Sequence, residues 1–530
     1  TTGVVTHLEA SSSGVKRFFL QDEGQAVSCY LPRRLPLKLQ AGQWATVEGM
    51  VNEYRPGNGS FSNTEIPILL MDQVKSGRPA ALPEPRELDF SKMAQLSPSQ
   101  AMEAYEPLES MLVRVRNPRV LDRFNDWESR RTVVAVIPDS VSANERNSVG
   151  TLTVTAREHS NRNWDSRYEF DFNAERIFIE HEGSAKISTV GTRLKDVVGV
   201  LDLSSGQPLL LPIDKLQIES EAKPKAAPLN LSAENGQMMI ATYNLWNLSA
   251  DDSERITKIA EQIADDLKAP DLVALAEVQD DSGTRNSIAD LTLSSRKFAE
   301  KLTPALSKKG ADYRYLDREP LRHREGGVPG GNIRVGFLYK PERVRPVGEP
   351  FRIPDDSRPV TEHLAFEGTR KALGSRFEFV PTNQPFFAIA THLKSKRGDD
   401  FVWKKNPQFD SEDQRVQQCL TLVNAVEALK ASEPDLPILL MGDFNDYAKS
   451  NSLRILTESG FLTNVLDQLP PEEQFTYRYR GNVSTLDHIL VSPELANQAQ
   501  CQILHLNTIS LDRSQLASDH DPIVATVVMD

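Results

Sequence analysis

The chain has 530 residues, room for three or four domains of ordinary size, with 39% hydrophobic and 25% charged residues as in folded, water-soluble proteins. Three cysteines (Cys29, Cys419 and Cys501) exclude a disulfide-dense scaffold, and no apolar run approaches the ~20 residues that cross a bilayer. A formal net charge of −13 repels polyanions at long range, so any contact with nucleic acid has to come from local basic clusters.

In chain order, residues 1–80 read as short strands, clearest at 3–5, 17–22, 28–32 and 44–51. Strands at this spacing, with Gly and Asn-Gly turns, suggest a five-stranded β-barrel of the OB type. Residues 81–107 read as a Pro-rich linker carrying a short helix at 97–105. A second β-rich domain follows at 108–218, clearest at 111–115, 133–137, 151–155 and 197–201. Residues 219–236, rich in Ala, Lys, Pro and Ser, read as an interdomain linker.

From 237 to 530 strands alternate with helices. Residues 238–243 form a strand, and Asp252 or Ser253 caps a helix whose Ile256, Ile259, Ala260, Ile263 and Leu267 fall at helical spacing. Pro270 helps end it before the buried run 271–276. Further apolar runs lie at 386–390, 438–441 and 523–528, with a helix over 415–429. Cys419 falls in that helix and Cys501 at a strand start, which points to buried free thiols. Strands layered with helices imply an α/β sandwich with its active site at the strand ends.

Those ends carry the chemistry. The first run leads into Asn244-Leu245-Trp246-Asn247 and the second into Glu277-Val278-Gln279. The third ends in Thr391-His392-Leu393-Lys394 and the fourth in Gly442-Asp443-Phe444-Asn445. Asp487 opens another strand, and Ser518-Asp519-His520-Asp521-Pro522 precedes the last. Carboxylates hold a hard divalent cation, amides position phosphate oxygens, and an imidazole moves a proton. Any one of these is ordinary turn chemistry after a strand. Six in order are not.

This set resembles the endonuclease/exonuclease/phosphatase superfamily over residues 237–530, and with the upstream barrel it is similar to the large extracellular nucleases of bacteria. The resemblance implies a multidomain protein ending in a four-layered α/β sandwich. It implies Mg²⁺-dependent phosphodiester hydrolysis, with Mn²⁺ or Ca²⁺ as alternative ions. It implies DNA as substrate, RNA as a second one, no membrane partner, and an extracellular or periplasmic location; it does not fix the oligomeric state. Position by position, it makes Asn244, Glu277 and Asp519 the metal-holding residues. Asp443 and Asn445 then orient the attacking water and the phosphate oxygens. His520 stands at the scissile phosphate with Asp487 behind it. His392 occupies a position that is histidine in deoxyribonuclease-like members and tends to tyrosine in abasic-site endonucleases. Which residue is the base is left open.

Arg334 and Arg370 are candidate phosphate clamps, because a guanidinium matches phosphate bidentately. Three basic stretches flank the motifs: Lys394 to Lys405, Arg318 to Arg334, and Arg478 with Arg480. A charge run is most often a solvated face, but a shared position beside one site makes these a candidate phosphate-facing rim. The rival readings are a same-fold phosphodiesterase or phosphatase acting on a lipid head group or other small phosphoester, and a binding protein with a dead catalytic domain. The basic loop after His392 favours nucleic acid.

Overall fold

The computed structural model describes residues 1–529 except 56–60, 127–130, 140, 142–145, 161, 182, 184–185, 235, 285–291, 330 and 356. In its first domain the strands Thr2–Ser11, Gly14–Gln21 and Ala26–Leu35 form an antiparallel meander. It packs Val5, Phe18, Leu20, Cys29 and Leu31 on one face. Four more strands complete a seven-stranded sheet whose outermost members are Asn52–Tyr54 and Val74–Pro79. The expected closed barrel is not found among the described residues. The two outer strands do not pair, and both are largely exposed, so no apolar face draws them together. The Asn-Gly turn expected at 58–59 lies outside the described residues.

Nine strands from Arg86–Glu87 to Ile218–Ser220 build a second sheet. Its first strand is only two residues long, too short to show a period, which is why that segment reads as linker. The helix Pro98–Tyr105 starts at Ser97 in a capping box with Gln100 and buries Ala101, Met102 and Tyr105 in this domain's core.

The last domain is a four-layered sandwich. One sheet holds Gln237–Leu248, Leu272–Val278, Arg334–Tyr339 and Ile523–Val528; the other holds Ala372–Phe379, Gln384–His392, Ile438–Asp443 and Asp487–Val491. Alternate residues face opposite ways along a strand. Met238 and Ile240 therefore meet Phe377, Phe386 and Met441 between the sheets, while Met239, Ala241 and Tyr243 meet Ile256, Ile259 and Phe298 of the outer helices. Cys419, Leu422 and Val426 of the Ser411–Ser432 helix cover the other sheet. Burial on both faces explains why these strands are continuous apolar runs. Each Leu, Ile, Val, Met or Phe so buried contributes about 1.5–3 kcal/mol. All three cysteines are buried and free.

The domains are joined by specific contacts. Arg17 makes a bidentate pair with Asp202, at 2.8 and 2.9 Å. Leu152–Thr153 of the second domain pairs in parallel with Asn482–Ser484 of the sandwich. Trp403, in the loop after the His392 strand, is 2% exposed and belongs to the second domain's core, edge-on to Phe178. No helix among the described residues is long and apolar enough to cross a membrane.

Candidate active site

Both sheets deliver side chains to one point. His392 and Asp443 are register partners across a parallel pair, and Asp443 and Asp487 across an antiparallel one. Gly442 permits this approach: its φ is +147°, and a Cβ there would collide with the Thr391 carbonyl oxygen. On the other sheet the pairing slips between Asn244 and Leu248 and between Leu275 and Val278. There Trp246, Asn247 and Glu277 take φ of +50°, +52° and +60°, and Asn445 takes +53° just past the end of the facing strand. Left-handed non-glycine residues cost ~1–3 kcal/mol each, and a bulge re-aims a side chain. All four sit in the motifs, so part of the chain's backbone strain is held there.

Asn244 links the two acids. Its Nδ2 donates to Glu277 Oε1 at 3.2 Å and to Asp443 Oδ2 at 2.9 Å, while its Oδ1 accepts from the Trp246 N–H. The Asn247 N–H holds Glu277 Oε2 at 2.8 Å. His392 Nε2 lies 3.4 Å from Asp443 Oδ2 and 3.8 Å from Glu277 Oε1. Asn445 donates its backbone N–H to Asp443 Oδ1 and its Nδ2 to the Leu393 carbonyl. His520 Nδ1 and Asp487 Oδ2 are 2.7 Å apart, with the Tyr477 ring 4.7 Å from the imidazole.

Burial and crowding set the charges. Burial, then the neighbouring charge of Asp487, pushes Asp443 up to about 7; burial and Glu277 push Asp519 up to about 6 against the pull of His520. Burial, reinforced by the positive charges of Arg370 and His520, holds His392 well below the usual histidine range, so its contacts with the two acids are not those of an ion pair. His520 goes the other way. Burial opposes its charge, but Asp487, Asp443 and Asp519 together raise it well above the usual value.

Glu277, His392 and Asp443 present ligand atoms within 4.8 Å of one another, as do Asp443, Asp487 and His520. Asp519 Oδ1 and Asp487 Oδ1 are buried with no hydrogen-bond partner among the described residues. An oxygen-rich set of crowded acids with unmatched lone pairs and no thiol fits a hard divalent cation.

Glu277, His392, Asp443, Asn445, Asp519 and His520 line one cavity of about 540 Å³. Asn244, Asp487 and Arg370 stand behind that lining. Arg370 donates to the Leu393 carbonyl at 2.6 Å and its Nε has no hydrogen-bond partner among the described residues; burial lowers its pKa against the favourable charges of Glu277 and Asp443. Arg334 is not brought to the cavity wall. Its guanidinium is bound to Asp317 at 3.0 Å and to the Asn332 and Leu293 carbonyls.

The expected basic rim is partly spent elsewhere. Arg478 binds Asp122, and Arg480 binds Asp126 and Gln207, all in the second domain. Lys396 binds Asp446 at 2.6 Å. The sequence reading missed two further residues. Tyr477 flanks His520, and Arg255 donates to the carbonyls of Leu245, Trp246 and Ala517, tying the Asn244 loop to the Asp519 loop. No local pattern announces either, because both act on partners far away in sequence.

A family model described as the Endonuclease/Exonuclease/phosphatase family matches residues 241–520, more than half of the chain. The chain belongs to that family. Its members hydrolyse phosphodiesters or phosphoesters and generally depend on a divalent metal, so the chain is a phosphoester hydrolase of that superfamily. A second model, described as a domain of unknown function, matches residues 71–221. Among similar solved structures is the endonuclease/exonuclease/phosphatase from Bacteroides vulgatus, with 17% identity over 56% of this chain and 99% of that one, at a TM-score of 0.36. The human Nocturnin catalytic domain with bound sulfate has 17% identity over 58% and 97% at 0.38. A mannosyl-6-phosphatase from Bacteroides thetaiotaomicron has 17% identity over 55% and 99% at 0.36. No curated protein matches the chain.

Proposed function

We propose that this protein is a Mg²⁺-dependent phosphodiesterase that cleaves nucleic acid, DNA in the first place and RNA in the second. One observation carries the reading. The Asn244–Glu277–Asp443 cluster, His392 and the His520–Asp487 pair meet at a single cavity, whose walls also carry the exposed Arg397 and several aromatic rings. Aromatic rings beside cations are what single nucleic-acid strands bind.

Glu277 and Asp519 would hold the cation, with Asn244 keeping Glu277 and Asp443 in register beside it. When bound, the cation polarises a phosphoryl oxygen and neutralises charge that develops there. Asp443, fixed by the Asn244 amide and the Asn445 N–H, orients the water, and Asn445 addresses the phosphate oxygens. Asp487 keeps the His520 proton on Nδ1, so Nε2 is the atom that exchanges a proton at the phosphate. His392 presents Nε2 from the opposite sheet. Arg370 adds positive charge behind it.

The test is the nicking of supercoiled plasmid with Mg²⁺ and its arrest by EDTA. Release of phosphocholine from sphingomyelin, with no cleavage of any DNA or RNA, would replace this reading with the small-phosphoester one.

A further inference from the structure

The cavity is not built by the catalytic domain alone. A hairpin of the second domain, Thr155–Glu158 paired with Tyr168–Asp171, reaches over it. Its connecting turn is anchored: Trp164 donates to Glu458 at 2.7 Å and lies 4.1 Å from the Arg454 guanidinium. Phe170 and Phe172 then line the same cavity as Glu277, Asp443 and His520. They face Tyr447, which follows the Asp443 motif, with ring centroids 5.0 and 6.1 Å apart. Lys396 Nζ lies 4.3 Å from the Tyr447 ring.

These three rings do not behave as core. All are half-buried, and their planes are inclined to one another by 41°, 51° and 64°, so none is stacked on its neighbour. Such an unstacked, cavity-lining arrangement suits a flat partner, with Lys396 already seated over the Tyr447 ring. Arg397, exposed on the same wall, supplies charge for a backbone phosphate. The cavity lies within the ~300–1,000 Å³ that accepts a small ligand or a nucleotide or two. A duplex keeps its bases stacked inside and offers no free face to such a wall. An unpaired base does.

We propose that Phe170, Phe172 and Tyr447 form a base-stacking subsite beside the catalytic acids, which makes the enzyme selective for phosphodiesters flanked by an unpaired nucleobase. The second domain is then a fixed part of the substrate cleft. This rests on the nucleic-acid reading above and adds to it the class of strand that is cut.

The experiment compares two single-stranded oligonucleotides of one length, one carrying bases and one with tetrahydrofuran abasic residues throughout, with the full chain, Phe170→Leu and Phe170→Tyr. Leucine keeps an apolar side chain without a ring; tyrosine restores the ring and reports on folding. Stacking is worth enough per base that the base-carrying strand should have a kcat/KM about tenfold or more above the abasic one. Phe170→Leu should bring the two strands to near equality, and Phe170→Tyr should restore the difference. Cleavage of both strands at equal rates by the full chain, or an unchanged ratio in Phe170→Leu, would overturn the subsite and leave the phosphodiesterase reading standing. Cleavage of neither strand, with Mg²⁺ present, would overturn both.

Discussion

Trp403→Ala tests whether the second domain and the sandwich are one mechanical unit. Trp403 belongs by sequence to the loop after His392, yet it is 2% exposed within the core of the other domain. Its ring stands edge-on to Phe178 at 5.9 Å and 80°, with the Arg176 guanidinium 5.8 Å away. Truncating a buried Trp to Ala costs about 3–5 kcal/mol through lost transfer energy and the cavity left behind. For a unit of ~150–250 residues that is on the order of 10 °C in Tm. Scanning calorimetry should therefore show the transition of the second domain moving down by that amount and separating from that of the sandwich. Limited proteolysis should open the chain between 395 and 410. Trp403→Phe, which keeps a ring for Phe178, should lose less than Ala does. A thermogram superimposable on the wild type, with 395–410 still protected, would refute the claim that Trp403 docks the domains.

Two further outcomes follow from buried titratable groups. His392→Ala should lower kcat by roughly a hundredfold, the scale of positioned proton transfer, in single-turnover cleavage of an oligonucleotide; near-normal turnover would return His392 to a structural role. Glu109, whose carboxylate accepts the Thr64 N–H, is pushed up to about 7, chiefly by burial, from an ordinary 4.5. In the folded state it holds its proton where the unfolded chain has lost it, so its contribution is fully present below 4.5 and is lost as pH rises through 7. That gap, at ~1.36 kcal/mol per pH unit, is on the order of 3 kcal/mol. Glu109→Gln should thus raise Tm relative to wild type at pH 8 and not at pH 4.5. Equal Tm differences at both pH values would count against it.

The layered sandwich was legible because both faces of its strands are buried: runs such as 271–276 and 523–528 have no polar period to hide them. The site was legible because Asn244, Glu277, His392, Asp443 and Asp519 are polar residues placed directly against such runs. What could not be read is what depends on distant partners. Arg478 and Arg480 look like a free phosphate rim until Asp122 and Asp126, more than 350 residues earlier, pair with them, although Arg480 still lines the cavity. Arg334 looks equivalent to Arg370 until Asp317 binds it. Closure of the first sheet depends on whether its outer strands find each other, which their own alternation does not encode. The Phe170 and Phe172 wall is two aromatics, one in an unremarkable short strand and one just past it; only the hairpin's position over the cavity gives them meaning.

We propose that Glu277, re-aimed by its left-handed backbone and held by Asn244 and Asn247, is the anchor of a metal-dependent phosphodiesterase. The direct measurement is single-turnover cleavage of a defined single-stranded oligonucleotide by wild type and Glu277→Gln across a Mg²⁺ titration, with Mg²⁺ binding followed calorimetrically on the same samples. Wild type should cleave only with Mg²⁺, and Glu277→Gln should lose both the binding isotherm and the cleavage while keeping its Tm. Cleavage by Glu277→Gln at the wild-type rate and Mg²⁺ midpoint, or wild-type cleavage that persists in EDTA, would contradict the account.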